Sequence, residues 1–344
     1  MLRRLAVLLI VVLVLGAGGA WWMRGRVTSA YRGFTDDEVF VNLPAGSGVG
    51  AIARRLADAG VVPDTITFRL AVRRANLDRH LEAGEYRFAE AATPIEVAQR
   101  ISRGDVYTRT VTFPEGLTVA EMAGIFAKSG IGTAEEFEAA ASNEALAREI
   151  APGATSLEGL LFPSTYSLPR SAGAEGTVAA MSAQFGRAMD SEIRAAAAQK
   201  GMSLLQVVTL ASIIEKESAR PDERPIISAV YHNRLKIGMP LQCDPTVIYA
   251  LMQSGRWSGN IHKGDLQIDS RYNTYRYAGL PPGPIASPGR EALDAAVHPA
   301  DVKYLYFVSR NDGSHAFAST FAEHSRNVAR WQIRYFRNAS VGTR

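Results

Sequence analysis

The chain has 344 residues, of which 47 % are hydrophobic, and its 38 basic and 34 acidic side chains leave a formal net charge of +4. This length exceeds the usual size of one domain, so we expect two folded units with full hydrophobic cores. The basic residues are spread along the chain, which argues against a nucleic-acid-binding surface. The single cysteine, Cys243, excludes an intramolecular disulfide and a cysteine-rich metal site.

An uncharged apolar segment lies near the N-terminus, over residues 5–23. It follows two arginines within residues 1–4 and ends in Trp21 and Trp22. The segment is about long enough to cross a bilayer as a helix, and the flanking residues favour a signal anchor with its N-terminus in the cytoplasm. The alternative is a cleaved signal peptide, for which the glycines and alanines of the segment offer a cleavage site. Both interpretations predict that the rest of the chain is exported.

The first predicted unit, residues 39–104, follows a short polar linker over residues 24–38. Ser47 is placed to cap its first helix, which is predicted to run to Asp58, and Gly60 is placed to end it. Its other predicted elements are strands at 39–43 and 84–88 and helices at 65–74 and 94–102, and a further strand at 107–113 is predicted at the boundary with the next unit. The order strand, helix, helix, strand and the small size indicate a binding module.

The second predicted unit begins near Thr108 and extends to residue 338. Its first helices are rich in alanine and are predicted at residues 119–129, 134–142 and 175–199, where they provide a packing scaffold. The fold class expected from the whole pattern is α+β. It combines one N-terminal transmembrane helix, a small α/β unit and a larger mixed α/β unit.

Two carboxylates, Glu215 and Glu217, lie at the end of an apolar helical run over residues 210–218. Two residues apart on a helix, they point about 200° apart and do not face one cleft together. The apolar stripe of Leu210 and Ile213 continues by helical spacing to Glu217, which is therefore the candidate aimed at the interior. Burial raises the pKa of a carboxyl group and makes it a proton donor, as cleavage of a glycosidic bond requires. The structural alternative is that both are solvated charges at a helix end, with Glu215 paired to a nearby basic residue.

The second unit also contains a series of longer motifs. They are LEGLLFP at 157–163, YHNRL at 231–235, the run KIGMPLQCDPTVIY at 236–249, YNTY at 272–275, GLPPGPIASPG at 279–289, AVHPA at 296–300, YLYFV at 304–308 and GSHAF at 313–317. In this order they closely resemble the YceG-like endolytic murein transglycosylases, bacterial inner-membrane enzymes that cut nascent peptidoglycan. The resemblance covers nearly the whole chain.

The resemblance implies that Glu217, the second glutamate of the pair, is the catalytic acid. In that chemistry the protonated carboxyl group donates to the oxygen between N-acetylmuramic acid and N-acetylglucosamine. The resulting carboxylate then takes the proton of the muramic acid C6 hydroxyl, which attacks C1 and closes a 1,6-anhydro ring without consuming water. One carboxylate therefore suffices, whereas glycoside hydrolases ordinarily use two. No cofactor and no metal are implied.

Asp244 could supply a second carboxylate for ordinary hydrolysis. Because it precedes a proline, it is also placed to cap a helix or to contact substrate. Gln242, Asn273 and Tyr275 are expected to hydrogen-bond sugar hydroxyl or acetamido groups, and the ring of Tyr275 to stack on a sugar; each could equally satisfy a loop. Cys243 departs from the family, whose members usually carry Ser or Thr at this position.

Three of the six histidines, His298, His315 and His324, lie near the C-terminus and suggest testing for a zinc site. His315 and His324 lack the short helical spacing of paired ligands, and no cysteine or acidic residue accompanies them in the sequence. We therefore expect no metal. His315 is interpreted as a structural or substrate-side hydrogen-bonding group at the edge of a strand.

The resemblance also implies a cellular setting. Residues 5–23 are expected to cross the inner membrane, residues 39–104 to form a LysM-like subdomain, and residues 108–338 to form a YceG-like catalytic domain in the periplasm. The expected partners are peptidoglycan glycan strands, whose elongation the cut terminates, and peptidoglycan synthases of the elongation or division machinery. Two other functions remain open. One is a hydrolytic muramidase using Glu217 and Asp244, and the other is a non-catalytic glycan-binding scaffold.

Overall fold

The computed structural model describes residues 10, 14–15, 18–19, 21–218 and 220–334. Most of the predicted membrane anchor, residues 5–23, lies outside the described residues. Within them, no single helix is long and apolar enough to cross a bilayer, while one sharply bent pair of helices, Ser191–Gln199 and Leu204–Glu217, meets the requirement by length and composition alone.

The chain forms two compact units, and their mixture of helices and strands agrees with the expected α+β class. The first unit comprises Met1–Arg109 and Ser167–Ala172, and the second comprises Thr110–Tyr166 and Gly173–Arg344. The sequence pattern had placed one boundary near Thr108. It contained no sign of the short return of the chain into the first unit.

The first unit follows the predicted order of elements. They are β1 (Val39–Leu43), α1 (Val49–Asp58), α2 (Thr65–Arg74), β2 (Gly84–Phe88) and α3 (Pro94–Ser102). Strands β1 and β2 pair antiparallel, with Val41 opposite Tyr86. Inward-facing side chains of the strands, among them Leu43, pack on Leu56 of α1 and Phe68 of α2 in one buried core. The apolar side chains that alternate along the strands and those on one face of each helix therefore pack into the same core.

The capping role predicted for Ser47 is wrong. Helix α1 begins at Val49, and its N-cap is Gly48, which has an extended backbone and no side-chain cap. Ser47 lies one residue too early, and its backbone N–H donates to the carbonyl of Pro44 in the preceding turn. The predicted end is confirmed, because Gly60 follows the last turn with a φ of +68°.

The second unit contains most of the helices. Its elements, of which β3 and β4 belong in part to the first unit, are β3 (Thr108–Phe113), α4 (Val119–Ser129), α5 (Ala134–Ala141), α6 (Glu144–Ile150), β4 (Ser164–Pro169), α7 (Gly173–Ala188), α8 (Ser191–Gln199), α9 (Leu204–Glu217), α10 (Arg224–Lys236), α11 (Asp244–Gln253), α12 (Arg290–Val297), β5 (Tyr306–Ser309), β6 (His315–Ala318) and α13 (Phe321–Val328). Strand β3 pairs with β4, and β5 pairs antiparallel with β6.

The continuous helix predicted over residues 175–199 is wrong. The structure has two helices there, α7 and α8, because Asp190 interrupts the run. Its backbone is extended, and its side chain accepts a hydrogen bond from the backbone N–H of Ile193 at 3.0 Å. An aspartate favours the N-cap position of a new helix over the interior of a continuing one. The many alanines around Asp190 favour a helix throughout, so the sequence pattern did not indicate the break.

Helix α9 is the central helix of the second unit. Ser203 and Gln206 form a reciprocal capping box at its start, and residues 207–214 are all buried. A helix that is buried on every side must be enclosed by other elements, and α9 packs on α8, α10, α11 and α12. Ser212 accepts a hydrogen bond from the backbone N–H of Ile285 at 3.0 Å, which attaches the proline-rich loop to this helix.

Gly60→Ala is expected to lower the free energy of unfolding by at least about 1–2 kcal/mol, since an alanine would keep a left-handed backbone conformation there. Its Cβ atom would also lie 2.8 Å from backbone atoms of Gly33 and Phe34. Gly104→Ala is the matched control, because Gly104 has a φ of +67° but its nearest neighbour, a side-chain carbon of Glu82, would lie at 3.5 Å. Denaturation followed by circular dichroism should show the larger loss for Gly60→Ala, and equal losses would contradict the role of the close backbone approach.

Candidate active site

The two glutamates at the end of α9 have separate surroundings, as helical spacing predicted. The helix stops at Glu217 because the backbone of Ser218 is extended, with φ −136° and ψ 124°. Glu215 and Glu217 make different hydrogen bonds, to Arg224 and to Tyr231 respectively. Each carboxyl group can therefore be assigned its own role.

Glu215 belongs to a buried ion pair. Its Oε1 lies 2.9 Å from a guanidinium nitrogen of Arg224, and both side chains are 7 % exposed. Its Oε2 accepts from the backbone N–H of Gly289 at 3.0 Å, and Arg224 also donates to Glu291 at 2.8 Å. Burial raises the pKa of Glu215, against the opposing effects of Gly289 and Arg224. The alternative of a solvated charge at the helix end is therefore excluded for Glu215.

Glu217 is held by two buried hydrogen-bond donors. The hydroxyl group of Tyr231 donates to Glu217 Oε1 at 3.0 Å, and the thiol of Cys243 also hydrogen-bonds to this carboxyl. Tyr231 and Cys243 are each 1 % exposed. Burial raises the pKa of the Tyr231 hydroxyl and of the Cys243 thiol well above their usual values, so each group keeps its hydrogen.

The carboxyl group of Glu217 lines a pocket of about 220 Å³, together with side chains that include Gln242, Asp244, Tyr275 and His315. Burial raises the pKa of Glu217, and this effect exceeds the opposing effect of its hydrogen bonds. The negative charge of Asp244 raises the pKa further, whereas the positively charged form of His315 lowers it. A carboxyl group that is protonated at higher pH than usual, and that opens on a polar pocket, can act as a general acid.

Asp244 lies in this pocket, but the capping role predicted for it is wrong. Helix α11 begins at Asp244 itself, and its N-cap is Cys243, which makes no side-chain cap. The carboxyl group of Asp244 instead accepts a hydrogen bond from the Tyr275 hydroxyl at 2.6 Å. Both residues line the pocket of Glu217, so the structure brings these two predicted substrate contacts together.

The other two predicted substrate-binding residues differ from each other. Gln242 is exposed, lines the pocket and has a φ of +51°, a left-handed conformation that is costly for a residue other than glycine. Asn273 is fully buried, donates to the carbonyl groups of Leu266 and Ile268, and accepts from the backbone N–H of Tyr275. The loop-satisfying alternative for Asn273 therefore agrees with its contacts.

The residues that follow Tyr231 in the YHNRL motif connect α10 to neighbouring segments, because their side chains hydrogen-bond to backbone carbonyl groups. His232 contacts the carbonyl of Ala296 at 2.8 Å, and Asn233 donates to the carbonyls of residues 302 and 304. Arg234 donates to Leu305 at 2.6 Å and to Leu241 at 2.7 Å. These bonds hold the segment that leads into β5 and the turn before α11. Residues of β5 and of that turn line the pocket.

Sequence reasoning missed two acidic side chains. Glu223 hydrogen-bonds to His315 beside the pocket. Glu158 is buried elsewhere in the second unit, where burial raises its pKa to about 7 while it accepts from the backbone N–H of Val119 at 3.1 Å. The position of Glu158 in the LEGLLFP motif could have identified it from the sequence. No local signal indicates Glu223, because its contact with His315 joins residues 92 positions apart.

No group of three or more histidine, cysteine or acidic side chains suited to a metal ion occurs within the part of the chain that the structure describes. His324 stacks on Tyr306, with ring centroids 5.1 Å apart, and His298 forms a surface pair with Asp294. The three histidines considered for zinc thus have separate surroundings.

An apolar helix that ends in a half-buried carboxylic acid, opening on a polar pocket of a mixed α/β unit, defines an enzyme of the acid–base type. The sequence model of the YceG-like family matches residues 41–330. The chain belongs to the YceG-like family, and the resemblance seen in its motifs is confirmed.

Named relatives agree with this assignment. An endolytic murein transglycosylase of Bacillus subtilis (strain 168) is 31 % identical over 325 residues, which are 90 % of this chain and 89 % of the relative. The protein of the same name from Streptococcus pneumoniae serotype 2 (strain D39) is 31 % identical over 328 residues, and the match spans 58 % of its length. A crystal structure of a YceG-like protein from Listeria monocytogenes aligns with a TM-score of 0.58 and 28 % identity, covering 85 % of this chain and 99 % of that one.

Arg224→Ala is expected to lower the free energy of unfolding by about 3–5 kcal/mol, because it leaves the buried Glu215 carboxylate without its charged partner. Arg220→Ala is the control, since Arg220 pairs with Asp222 at the surface and its loss should have no measurable effect. Urea denaturation of the two variants measures the difference. Equal free energies of unfolding for the two variants would show that Arg224 is not needed to stabilise the buried Glu215 side chain.

Proposed function

We propose that the protein is a membrane-anchored endolytic lytic transglycosylase of peptidoglycan. Its reaction is cleavage of the bond between N-acetylmuramic acid and N-acetylglucosamine, with formation of 1,6-anhydro ends. The observation that carries the proposal is the half-buried, pocket-lining side chain of Glu217, whose pKa is raised. The names of the Bacillus and pneumococcal relatives support the substrate class.

Glu217 supplies both proton transfers in this reaction. Its protonated form donates to the glycosidic oxygen as the bond to C1 breaks. The carboxylate that remains is stabilised by the Tyr231 hydroxyl at 3.0 Å and by the thiol of Cys243. It then takes the proton of the C6 hydroxyl as that oxygen bonds to C1, which returns Glu217 to its starting form. No second carboxylate and no water are required.

Hydrolysis is the second candidate reaction, because Asp244 lines the same pocket as Glu217. A hydrolase would use Asp244 to activate a water molecule or to attack C1. Against this role, the 2.6 Å hydrogen bond from Tyr275 occupies one oxygen of Asp244. The chemistry of the released ends separates the two reactions.

The cellular setting is part of the proposal. Residues 5–23 would anchor the chain in the inner membrane with the N-terminus in the cytoplasm, and the catalytic unit would lie in the periplasm. The apolar composition of this segment supports the anchor, and the two arginines before it support the cytoplasmic placement of the N-terminus. The unit formed by β1, β2 and α1–α3 would act as a LysM-like glycan-binding module. A tether of this kind restricts cleavage to nascent strands near the membrane, beside the synthases that extend them.

Glu217→Gln is expected to slow release of anhydro ends by about 10²–10⁴-fold, the usual contribution of a general acid. Mass spectrometry of muropeptides released from purified peptidoglycan by the full-length chain and the variant measures this. Reducing ends from the wild type would instead identify a hydrolase and make Asp244 the next residue to change. Absence of any product from mature and nascent glycan would favour a glycan-binding scaffold.

Tyr231→Phe is expected to move the alkaline limb of the pH–rate profile to higher pH. The Tyr231 hydroxyl favours the charged form of Glu217, so its removal raises the pKa of Glu217 further, and the acid stays protonated to higher pH. Tyr249→Phe is the matched control, since it removes a buried tyrosine that hydrogen-bonds Glu158 instead. A profile of kcat/KM against pH that is the same for Tyr231→Phe and wild type would show that the hydrogen bond does not tune the acid.

A further inference from the structure

His315 and Glu223 form a buried pair at one wall of the Glu217 pocket, with side chains 11 % and 10 % exposed. Glu223 ends the short turn before α10, and His315 begins β6. Oε2 of Glu223 lies 2.6 Å from Nδ1 of His315, and Oε1 accepts the backbone N–H of the same residue at 3.0 Å. Both oxygens of one carboxylate are therefore used to hold a single histidine.

This contact determines which ring nitrogen of His315 is left as an acceptor. A carboxylate only accepts hydrogen bonds, so Nδ1 of His315 carries the hydrogen, and in the neutral ring Nε2 has a free lone pair. Among the described residues, Nε2 has no hydrogen-bond partner, and His315 lines the same pocket of about 220 Å³ as Glu217. The free acceptor is thus available to a ligand.

Neighbouring rings keep the imidazole in this orientation. The ring of Phe307 on β5 meets His315 edge to face, with centroids 5.4 Å apart and an interplanar angle of 89°. Phe317 lies on the same strand as His315, with its ring centroid 6.3 Å away. Backbone pairing of Ser309 with His315 fixes the strand register beneath the ring. A side chain fixed by packing and by a hydrogen bond is oriented before substrate arrives.

A purely structural role would be to attach β6 to the start of α10. The contacts of Nδ1 and of the backbone N–H fulfil that role. They do not require His315 to line the pocket or Nε2 to be left without a partner. Nε2 adds an acceptor for a sugar hydroxyl at this wall, where Tyr275 already occupies one oxygen of Asp244 and the protonated form of Glu217 is a donor.

We propose that Nε2 of His315 binds substrate directly, by accepting a hydrogen bond from a sugar hydroxyl beside the bond that Glu217 cleaves. Glu223 is the positioning residue that sets the tautomer and the ring orientation. The inference rests on the proposed function, because a glycan is the ligand that presents such a hydroxyl. No proton is transferred to His315.

His315→Asn tests the contact, because the amide N–H of asparagine replaces Nδ1–H in the bond to Glu223 while Nε2 is removed. In the full-length chain in detergent, this variant is expected to keep the wild-type melting temperature. Its kcat/KM on purified glycan strands is expected to fall about 10- to 100-fold, the effect of losing one hydrogen bond to substrate. His298→Asn is the matched control, since His298 forms a similar pair with Asp294 at the surface, and it should be as active as wild type.

Wild-type kcat/KM in a stably folded His315→Asn variant would overturn the inference. If the variant is unstable, nuclear magnetic resonance of ¹⁵N-histidine in the full-length Glu217→Gln protein decides. Glycan that is bound but not cleaved should shift the His315 Nε2 resonance, and an unchanged resonance at saturating glycan would overturn the inference. Failure of the proposed function can be told apart from failure of this inference. In the first case the wild type itself would release no anhydro ends, while the His315 resonance would still report whether glycan binds.

Discussion

The second unit depends on the buried ion pair between Glu215 and Arg224, which joins the end of α9 to the start of α10. Tyr231 lies seven residues after Arg224, about two helical turns, so one face of α10 serves both carboxyl groups of α9. Once Arg224 holds Glu215, helical geometry directs Glu217 elsewhere, and it meets Tyr231. The ion pair of Glu215 thus helps to position Glu217, the proposed acid.

The two glutamates show how local contacts separate the roles of identical residues. Burial raises the pKa of both, but a fixed cation faces Glu215, whereas neutral donors face Glu217. Neutral donors stabilise a carboxylate without holding it permanently charged, which suits a group that gives up a proton and then takes one back. An arginine at the position of Tyr231 would favour the charged form and disable the acid.

The pocket is assembled from segments that are distant in the chain and are fastened mostly by bonds to the backbone. Asn233 and Arg234 bind carbonyl groups on both sides of it, and Tyr275 holds Asp244 from a separate loop. Buried polar groups of this kind are costly unless every one is paired, so their pairing specifies one arrangement of the walls. The motifs around Tyr231 and Asn273 therefore build the site, even where they do not touch substrate.

The sequence by itself determined the order of elements in the first unit, the divergence of Glu215 from Glu217, and the family, because hydrophobic period and motif order are local properties. It misplaced the cap of α1, the helix break at Asp190 and the cap of α11, where short polar side chains choose between competing local bonds. Only the tertiary structure revealed the partners of Glu217 and the pairing of Glu223 with His315. Those contacts join residues far apart in the chain, and burial and hydrogen bonding across such distances depend on how the helices pack.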